Sequence, residues 1–322
     1  MNMKYIFLTF LIVASESTVV AQANSENRIG GYLFAHMTKT DYGGLYYSVS
    51  SDGLIWHTLN QEKRVNEYYR GHPDICKGDD GHYYMIGVDA KEKKAIIWTS
   101  ADLLEWKAQG EIPFQLFKSV KGYEATDSWL GAPKMYYDQT SKRYIVTWHS
   151  PQSGIPRDNF AGYWCSMRTF YMLTPDLKTF STPARLFTYE MGTIDVIIRK
   201  EGELYFAILK DECEATPLWP TGKSVRIAVA HQLEGPYSYP SASVSYNYHE
   251  APTVIPKPDG TGYYMYTEMY PGIRYDVAEA PALNGPWFGV YQQKFKVPET
   301  ARHGCMIPLT LMEYLLITEK FK

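Results

Sequence analysis

Strand-length apolar runs, the tight turns between them and a fivefold recurrence of one aromatic-ended segment predict an all-β chain folded as a five-bladed β-propeller. The runs are residues 31–37 (GYLFAHM), 81–87 (GHYYMIG), 142–150 (KRYIVTWHS), 202–210 (GELYFAILK) and 262–270 (GYYMYTEMY). Tyr, Val, Ile, Phe and Trp dominate them, as in half-buried strands. Asp79-Asp80-Gly81, Lys200-Glu201-Gly202 and Pro258-Asp259-Gly260 supply tight turns, and helical periodicity is almost absent.

The recurring segment follows each strand at some distance. Its first three copies are Ser51-Asp52-Gly53-Leu54-Ile55-Trp56, Ser100-Ala101-Asp102-Leu103-Leu104-Glu105-Trp106 and Thr174-Pro175-Asp176-Leu177-Lys178-Thr179-Phe180. Gln232-Leu233-Glu234-Gly235-Pro236-Tyr237 and Ala282-Leu283-Asn284-Gly285-Pro286-Trp287 are looser copies. The closing aromatics lie about 50 to 74 residues apart, the length of one four-stranded blade with its loops. A single blade cannot bury both faces, but blades packed around an axis can, with the closing aromatics as plugs between them. A β-sandwich also strings short strands together but gives no reason for the repeated segment. One propeller domain is therefore expected over residues 24–322.

Composition narrows the function classes. The 322 residues include 28 Tyr, 13 Phe and 8 Trp, and the net charge is −3. A dedicated nucleic-acid binder carries a large basic excess, which is missing here. Residues 1–23 read as a signal peptide: Lys4, an apolar run at residues 5–14, then Ala21-Gln22-Ala23. That run falls well short of the roughly 20 residues that span a bilayer. The expectation is an exported protein, periplasmic or extracellular, without a membrane span. Cys76, Cys165, Cys213 and Cys305 form no CxxC metal motif. They read as buried free thiols, with two disulfides as the alternative in an exported protein.

Propeller sites gather where the innermost strands meet at the axis. The segments that begin the blade units are Gly71-His72-Pro73-Asp74-Ile75, Trp129-Leu130-Gly131-Ala132-Pro133, Ile194-Asp195-Val196-Ile197-Ile198 and His249-Glu250-Ala251-Pro252-Thr253-Val254, with Arg302-His303-Gly304 near the C-terminus. Glu250 stands among apolar neighbours, which raise a carboxyl pKa. Asp195 is the one charge in an apolar run.

In this order the segments resemble glycoside hydrolase family 43, the arabinosidase and xylosidase family, over about residues 31–318. That family shows Asp-Pro, Trp-Ala-Pro, Ile-Asp, Glu-Gly-Pro or Glu-Ala-Pro, and Arg-His-Gly in succession. The resemblance implies an inverting hydrolase with two carboxyl groups roughly 6.5–9.5 Å apart. Glu250 would be the general acid and Asp195 its pKa modulator. The substrate would be an oligosaccharide or polysaccharide bearing arabinosyl, xylosyl or galactosyl side chains, cut from its end. The general base stays open: His72 stands where the family has Asp, and Asp74 follows two places later on the same face of an extended segment. The base is therefore Asp74, His72 or neither. Without either base the chain would be a silent glycan-binding propeller or an enzyme that recruits a base elsewhere; with His72 it would resemble the family 117 glycosidases, in which His takes a catalytic role.

Trp129 is the candidate for stacking on a sugar face, and Arg302, His303 and Arg274 are candidates for sugar hydroxyls. The resemblance also allows His303 a place beside a structural calcium near the axis; no cofactor is otherwise required. Lys134 reads as a salt bridge at the pocket rim, with an anionic substrate as the alternative. Lys210-Asp211-Glu212 reads either as a cleft edge or as a solvated charge run.

Overall fold

The computed structural model describes residues 28–89, 94–123 and 131–322. Five small antiparallel sheets form a five-bladed propeller. Blade 1 takes its innermost strand from the C-terminus: Ala301–Thr310 pairs with Ile29–Thr38, followed outward by Tyr46–Ser50 and His57–Thr58. This pairing closes the ring and covers two sheet edges that would otherwise be open. Blade 2 runs outward as Cys76–Lys77, Tyr83–Asp89, Lys94–Ser100 and Lys107–Ile112. Blade 3 is Gly131–Asp138, Arg143–Ser150, Arg168–Thr174 and Ala184–Arg185. Blade 4 has three strands, Thr193–Glu201, Leu204–Asp211 and Ser224–Ala230. Blade 5 is His249–Pro256, Tyr263–Met269, Arg274–Ala280 and Phe288–Gly289.

The repeated segment is a side-chain-capped turn. Ser50, Ser100 and Thr174 accept through their hydroxyls from the backbone N–H of Gly53, Leu103 and Leu177. Two residues on, Asp52, Asp102 and Asp176 accept from the N–H groups that follow. These bonds satisfy backbone donors at the outer corner of each blade and aim the aromatic inward. Each aromatic packs back onto the preceding blade. The Trp106 Nε1–H donates to Tyr47 of blade 1 at 2.6 Å, and the Trp56 Nε1–H to Tyr266 of blade 5 at 3.1 Å. Phe180, Tyr237 and Trp287 join the apolar clusters between blades 2 and 3, 3 and 4, and 4 and 5. The core is thus five separate inter-blade layers, which is where most of the aromatic excess goes.

Short helices depart from the all-strand expectation, the longest of them at the C-terminus. Leu311–Lys320 is an α-helix opened by a capping box, in which Thr310 and Glu313 bond each other's backbone N–H. Among the described residues no helix is long and apolar enough to cross a membrane.

Candidate active site

The innermost strands leave their ladders at one end of the axis. Pairing skips at residues 131–134, 194–197 and 250–253, and at 302–304 opposite His36 and Met37. Each skip holds a residue in the left-handed region: Ala132 at φ 36°, Asp195 at 51°, Ala251 at 48° and His303 at 36°. Such bulges re-aim side chains and recur at functional sites because the strain must be held by its surroundings. Two glycines make room for them. A Cβ on Gly304 would lie 2.1 Å from the Ala35 carbonyl oxygen, and one on Gly131 would lie 2.3 Å from the His149 ring.

The bulges surround a cavity of about 530 Å³ lined by Asp195, Glu250, His72, His149 and His303, by Lys210, Glu212, Lys223 and Arg302, and by Tyr42, Phe160, Trp164, Ile194 and Tyr270. Glu250 and Asp195 meet here. The Ala251 N–H, next to Glu250, donates to Asp195 Oδ2 at 3.2 Å. Burial pushes the Glu250 carboxyl above its usual range; Lys210 pulls against this, and the Asp195 charge adds to it. For Asp195, burial opposes ionisation, but His303, His149, Lys134 and Lys210 outweigh it and hold the carboxyl below its usual range. The two acids are thus driven in opposite directions, which allows one to be a proton donor while the other stays charged.

Lys210 is a shared counter-charge. Its ammonium lies 2.7 Å from Glu250 Oε2 and 2.8 Å from Glu212 Oε1, and over the Tyr270 ring at 4.3 Å. Glu212 is held in turn by Lys223 at 2.7 Å. Arg302 approaches Glu250 Oε1 at 3.6 Å, and His303 Nε2 approaches the same oxygen at 3.4 Å. His303 stacks on His72 with centroids 4.9 Å apart, and Tyr42 OH lies 3.0 Å from His72 Nε2. Burial pushes both imidazoles below their usual range, the neighbouring His303 adding to the effect on His72, so they are neutral near pH 7.

His72, Asp195, Glu250, Arg302 and His303 therefore share one cavity, and two expected residues stand elsewhere. Asp74 lies below it among Lys134, Thr147 and Ile198, where its Oδ2 accepts from the Met135 N–H at 2.9 Å. This carboxylate ties blade 2 to blade 3. Proline fixes the backbone between His72 and Asp74, and the same-face expectation gives way to one residue at the cavity and one beneath it. Arg274 is exposed on the third strand of blade 5, away from the cavity. Trp129 falls outside the described residues. Lys134 is not at the rim: it is buried on the axis beside Asp74. Lys210 and Glu212 are a buried cavity wall, not a solvated run. The four cysteines are free thiols; Cys305 is buried and the other three are half-buried.

Sequence reasoning did not single out Tyr42, His149, Trp164, Lys223 or Glu268. Trp164 and Phe160 come from the short helix Phe160–Cys165, which the Asn159 side chain caps. The Asn before an aromatic stretch was the available signal.

Among the described residues Glu250, Glu268 and His303 bring metal-ligating atoms within 4.8 Å of one another. Calcium takes about six to eight oxygen ligands. Here Arg302 and the His303 N–H occupy Glu268, and Lys210 holds Glu250. These donors are already neutralised by fixed cations and do not fit calcium.

Fold and site define a five-bladed propeller with an acid-paired axial cavity. The sequence matches the family model of a probable glycosyl hydrolase domain related to glycoside hydrolase family 43 over residues 27–315, and the chain belongs to that family. Its family is thus that of a probable glycosyl hydrolase domain. No curated protein matches the sequence. Among solved structures it is similar to a GH43_12 protein from a capybara gut metagenome (15 % identity, TM-score 0.52, 82 % of this chain and 48 % of that one). It is also similar to a mutant of the GH43 protein BlXynB from Bacillus licheniformis (18 %, 0.52, 75 % and 47 %). A third is an α-L-arabinofuranosidase from Lactobacillus brevis (12 %, 0.52, 72 % and 76 %). The chain spans about half the length of the first two.

Proposed function

We propose that this protein is an exported, exo-acting, inverting glycosidase that removes a terminal arabinosyl, xylosyl or galactosyl residue from a polysaccharide side chain. Glu250 is the general acid and Asp195 its modulator. The observation that carries this reading is the convergence of these two carboxyls on one cavity, with Glu250 pushed up by burial and Asp195 held down. Glu250 protonates the leaving glycosidic oxygen, and Asp195 keeps its own charge and thereby favours the proton on Glu250.

His72 is the candidate base. It is neutral and lines the cavity, whereas Asp74 is committed to the Met135 N–H below. The His303 ring stands between His72 and Glu250, so a sugar lying over it would have acid and base on different sides. An imidazole base also keeps the family 117-like mechanism in view. A single compact cavity walled by Tyr42, Phe160, Trp164 and Tyr270 suits one terminal sugar, with aromatic faces for its C–H bonds. An arabinosyl unit accords with the name of the Lactobacillus brevis relative. Residues 1–23 are the export signal in this reading, and residues 24–322 are the working domain, which requires no cofactor.

The test is hydrolysis of a panel of aryl glycosides and oligosaccharides by the protein and by Glu250→Gln, with the product anomer read by NMR. Turnover with inversion, lost in the variant on the oligosaccharides with their poor leaving groups, is the expected result. Sugar binding without turnover on any substrate would instead make the protein a glycan-binding propeller.

A further inference from the structure

Glu268 has no role in the reading above, yet it is a fully buried carboxylate beside the site. It lies on the second strand of blade 5, directly across the ladder from Glu250, and is 0 % exposed. A carboxylate so enclosed persists only when its oxygens are paired. Oε1 accepts from Arg302 Nε at 2.7 Å, and Oε2 accepts from the His303 backbone N–H at 2.8 Å. The same Oε2 faces His303 Nδ1 at 3.3 Å. The approach is oblique, so Nδ1 has no well-aligned partner; Glu268 is nevertheless the acceptor it faces. On the far side of the ring, Nε2 faces Glu250 Oε1 at 3.4 Å. One imidazole therefore bridges a buried carboxylate and the carboxyl at the cavity.

An ionised carboxylate accepts and cannot donate. Next to Nδ1 it favours the tautomer with hydrogen on Nδ1 and opposes a lone pair there. Nε2 is then left with its lone pair towards Glu250. A protonated Glu250 can donate to that lone pair, whereas an ionised one meets it lone pair to lone pair. Glu268 also draws Arg302: the guanidinium sits at 2.7 Å from Glu268 but at 3.6 Å from Glu250. Both effects favour the acid form of Glu250.

We propose that Glu268 is a positioning residue that fixes the tautomer of His303 and holds Arg302 back, and so keeps the proton on Glu250. The proposal rests on the reading of Glu250 as the acid. Other charged and titratable groups face the same atoms. Tyr42 and His72 face His303 from blades 1 and 2, and Lys134 and Asp195 face it from blades 3 and 4. Lys210, Glu212 and Asp195 face Glu250 from blade 4. Tyr275 faces Glu268 from the next strand of blade 5.

The test has two arms. Nitrogen-15 imidazole NMR of the unmodified protein at neutral pH, with His303 assigned by comparison with His303→Asn, is expected to show hydrogen on Nδ1. Hydrogen on Nε2 would overturn the proposal, and this arm needs neither turnover nor a folded Glu268 variant. In Glu268→Gln the basic limb of the kcat/KM profile is expected to move about one pH unit lower, which is about tenfold in activity above the limb. The loss falls on substrates with poor leaving groups and spares nitrophenyl glycosides. A basic limb that stays in place in a folded Glu268→Gln protein would also overturn it. Absence of hydrolysis by the unmodified protein would count against Glu250 as the acid, while the tautomer arm still decides the role of Glu268.

Discussion

At the cavity end of the axis, four of the five inner strands break their ladders with left-handed residues, and acids, ammonium groups and imidazoles crowd the space. At the opposite end the same strands run regularly: residues 135–138 pair with 143–146, 197–201 with 204–208 and 253–256 with 263–266. There they enclose a smaller hollow of about 290 Å³ with Met135, Val254, Met306 and Pro308 in its lining, and with Lys77, Arg199 and Lys200 but no carboxylate among the described residues. A propeller needs its inner strands straight only for part of their length to hold the blades. The remainder is free to bulge, and the strain is concentrated where groups must be aimed. The largest test of this separation is Glu250→Gln at the cavity end, for which a 10²- to 10⁴-fold loss of kcat, on the order expected for removal of a general acid, should come with an unchanged melting temperature. Asp195→Asn should follow. Its amide oxygen can still accept from Ala251, but the lost charge no longer favours the proton on Glu250. The basic limb of the pH profile should therefore move to lower pH.

At the boundary between the ends His72 and Asp74 stand two residues apart. His72→Ala should lower kcat by about 10²-fold or more with a small change in stability. Asp74→Ala should do the reverse. It leaves the buried Met135 N–H without its acceptor, costing about 1–3 kcal/mol in urea unfolding, while kcat/KM stays within about threefold. A large loss of turnover in a stable Asp74→Ala protein would move the base role to Asp74.

Acid should weaken the cavity end first. His36 pairs across from Gly304, and His149 across from Gly131, so both rings stand near the bulges. Burial lowers each to about 4 from 6.5. Above pH 6.5 both are neutral folded and unfolded, and pH has no effect through them. As pH falls from 6.5 towards 4 the unfolded chain takes up protons that the folded chain does not, so stability drops by about 1.4 kcal/mol per pH unit for each ring. Urea midpoints at pH 7.5 and pH 5 check the sign. His149→Gln should flatten the slope by about one proton.

How much of this was legible in the sequence follows from the range of each interaction. The blade repeat was legible because its cause is local: Ser50 and Asp52, or Thr174 and Asp176, bond backbone within three residues. Glu250, Asp195 and His303 were legible through short segments that begin the inner strands. Glu268 was not, since it sits in a Tyr-rich strand as one polar residue among several, and what distinguishes it is Arg302 and His303 more than thirty residues away. The misplacement of Lys134, which follows the skip at residues 131–134, has the same origin. A bulge changes which way the following side chain points, and Gly131 beside Ala132 is its one local sign. The C-terminal helix was legible in principle from Thr310 and Glu313, but the strand grammar of the rest of the chain obscured it.

The weakest effect belongs to the far end of the axis. Arg199 lines the lower hollow, and its guanidinium donates to the Ile198 carbonyl at 2.8 Å. Its charge acts on Cys76 and Tyr136, and it is not among the groups that set Glu250 or Asp195. Arg199→Gln should therefore leave kcat/KM and both limbs of the pH profile unchanged and move stability by less than about 0.5 kcal/mol, as for a partly exposed charge without a carboxylate partner among the described residues. Combined with Asp74→Ala, its effect on unfolding should add to within about 0.5 kcal/mol, since the two side chains share no hydrogen-bond partner. A pH profile displaced by Arg199→Gln would mean that charge at one mouth of the axis is felt at the other through the buried Lys134 and Asp74, and the two ends would then be a single electrostatic unit.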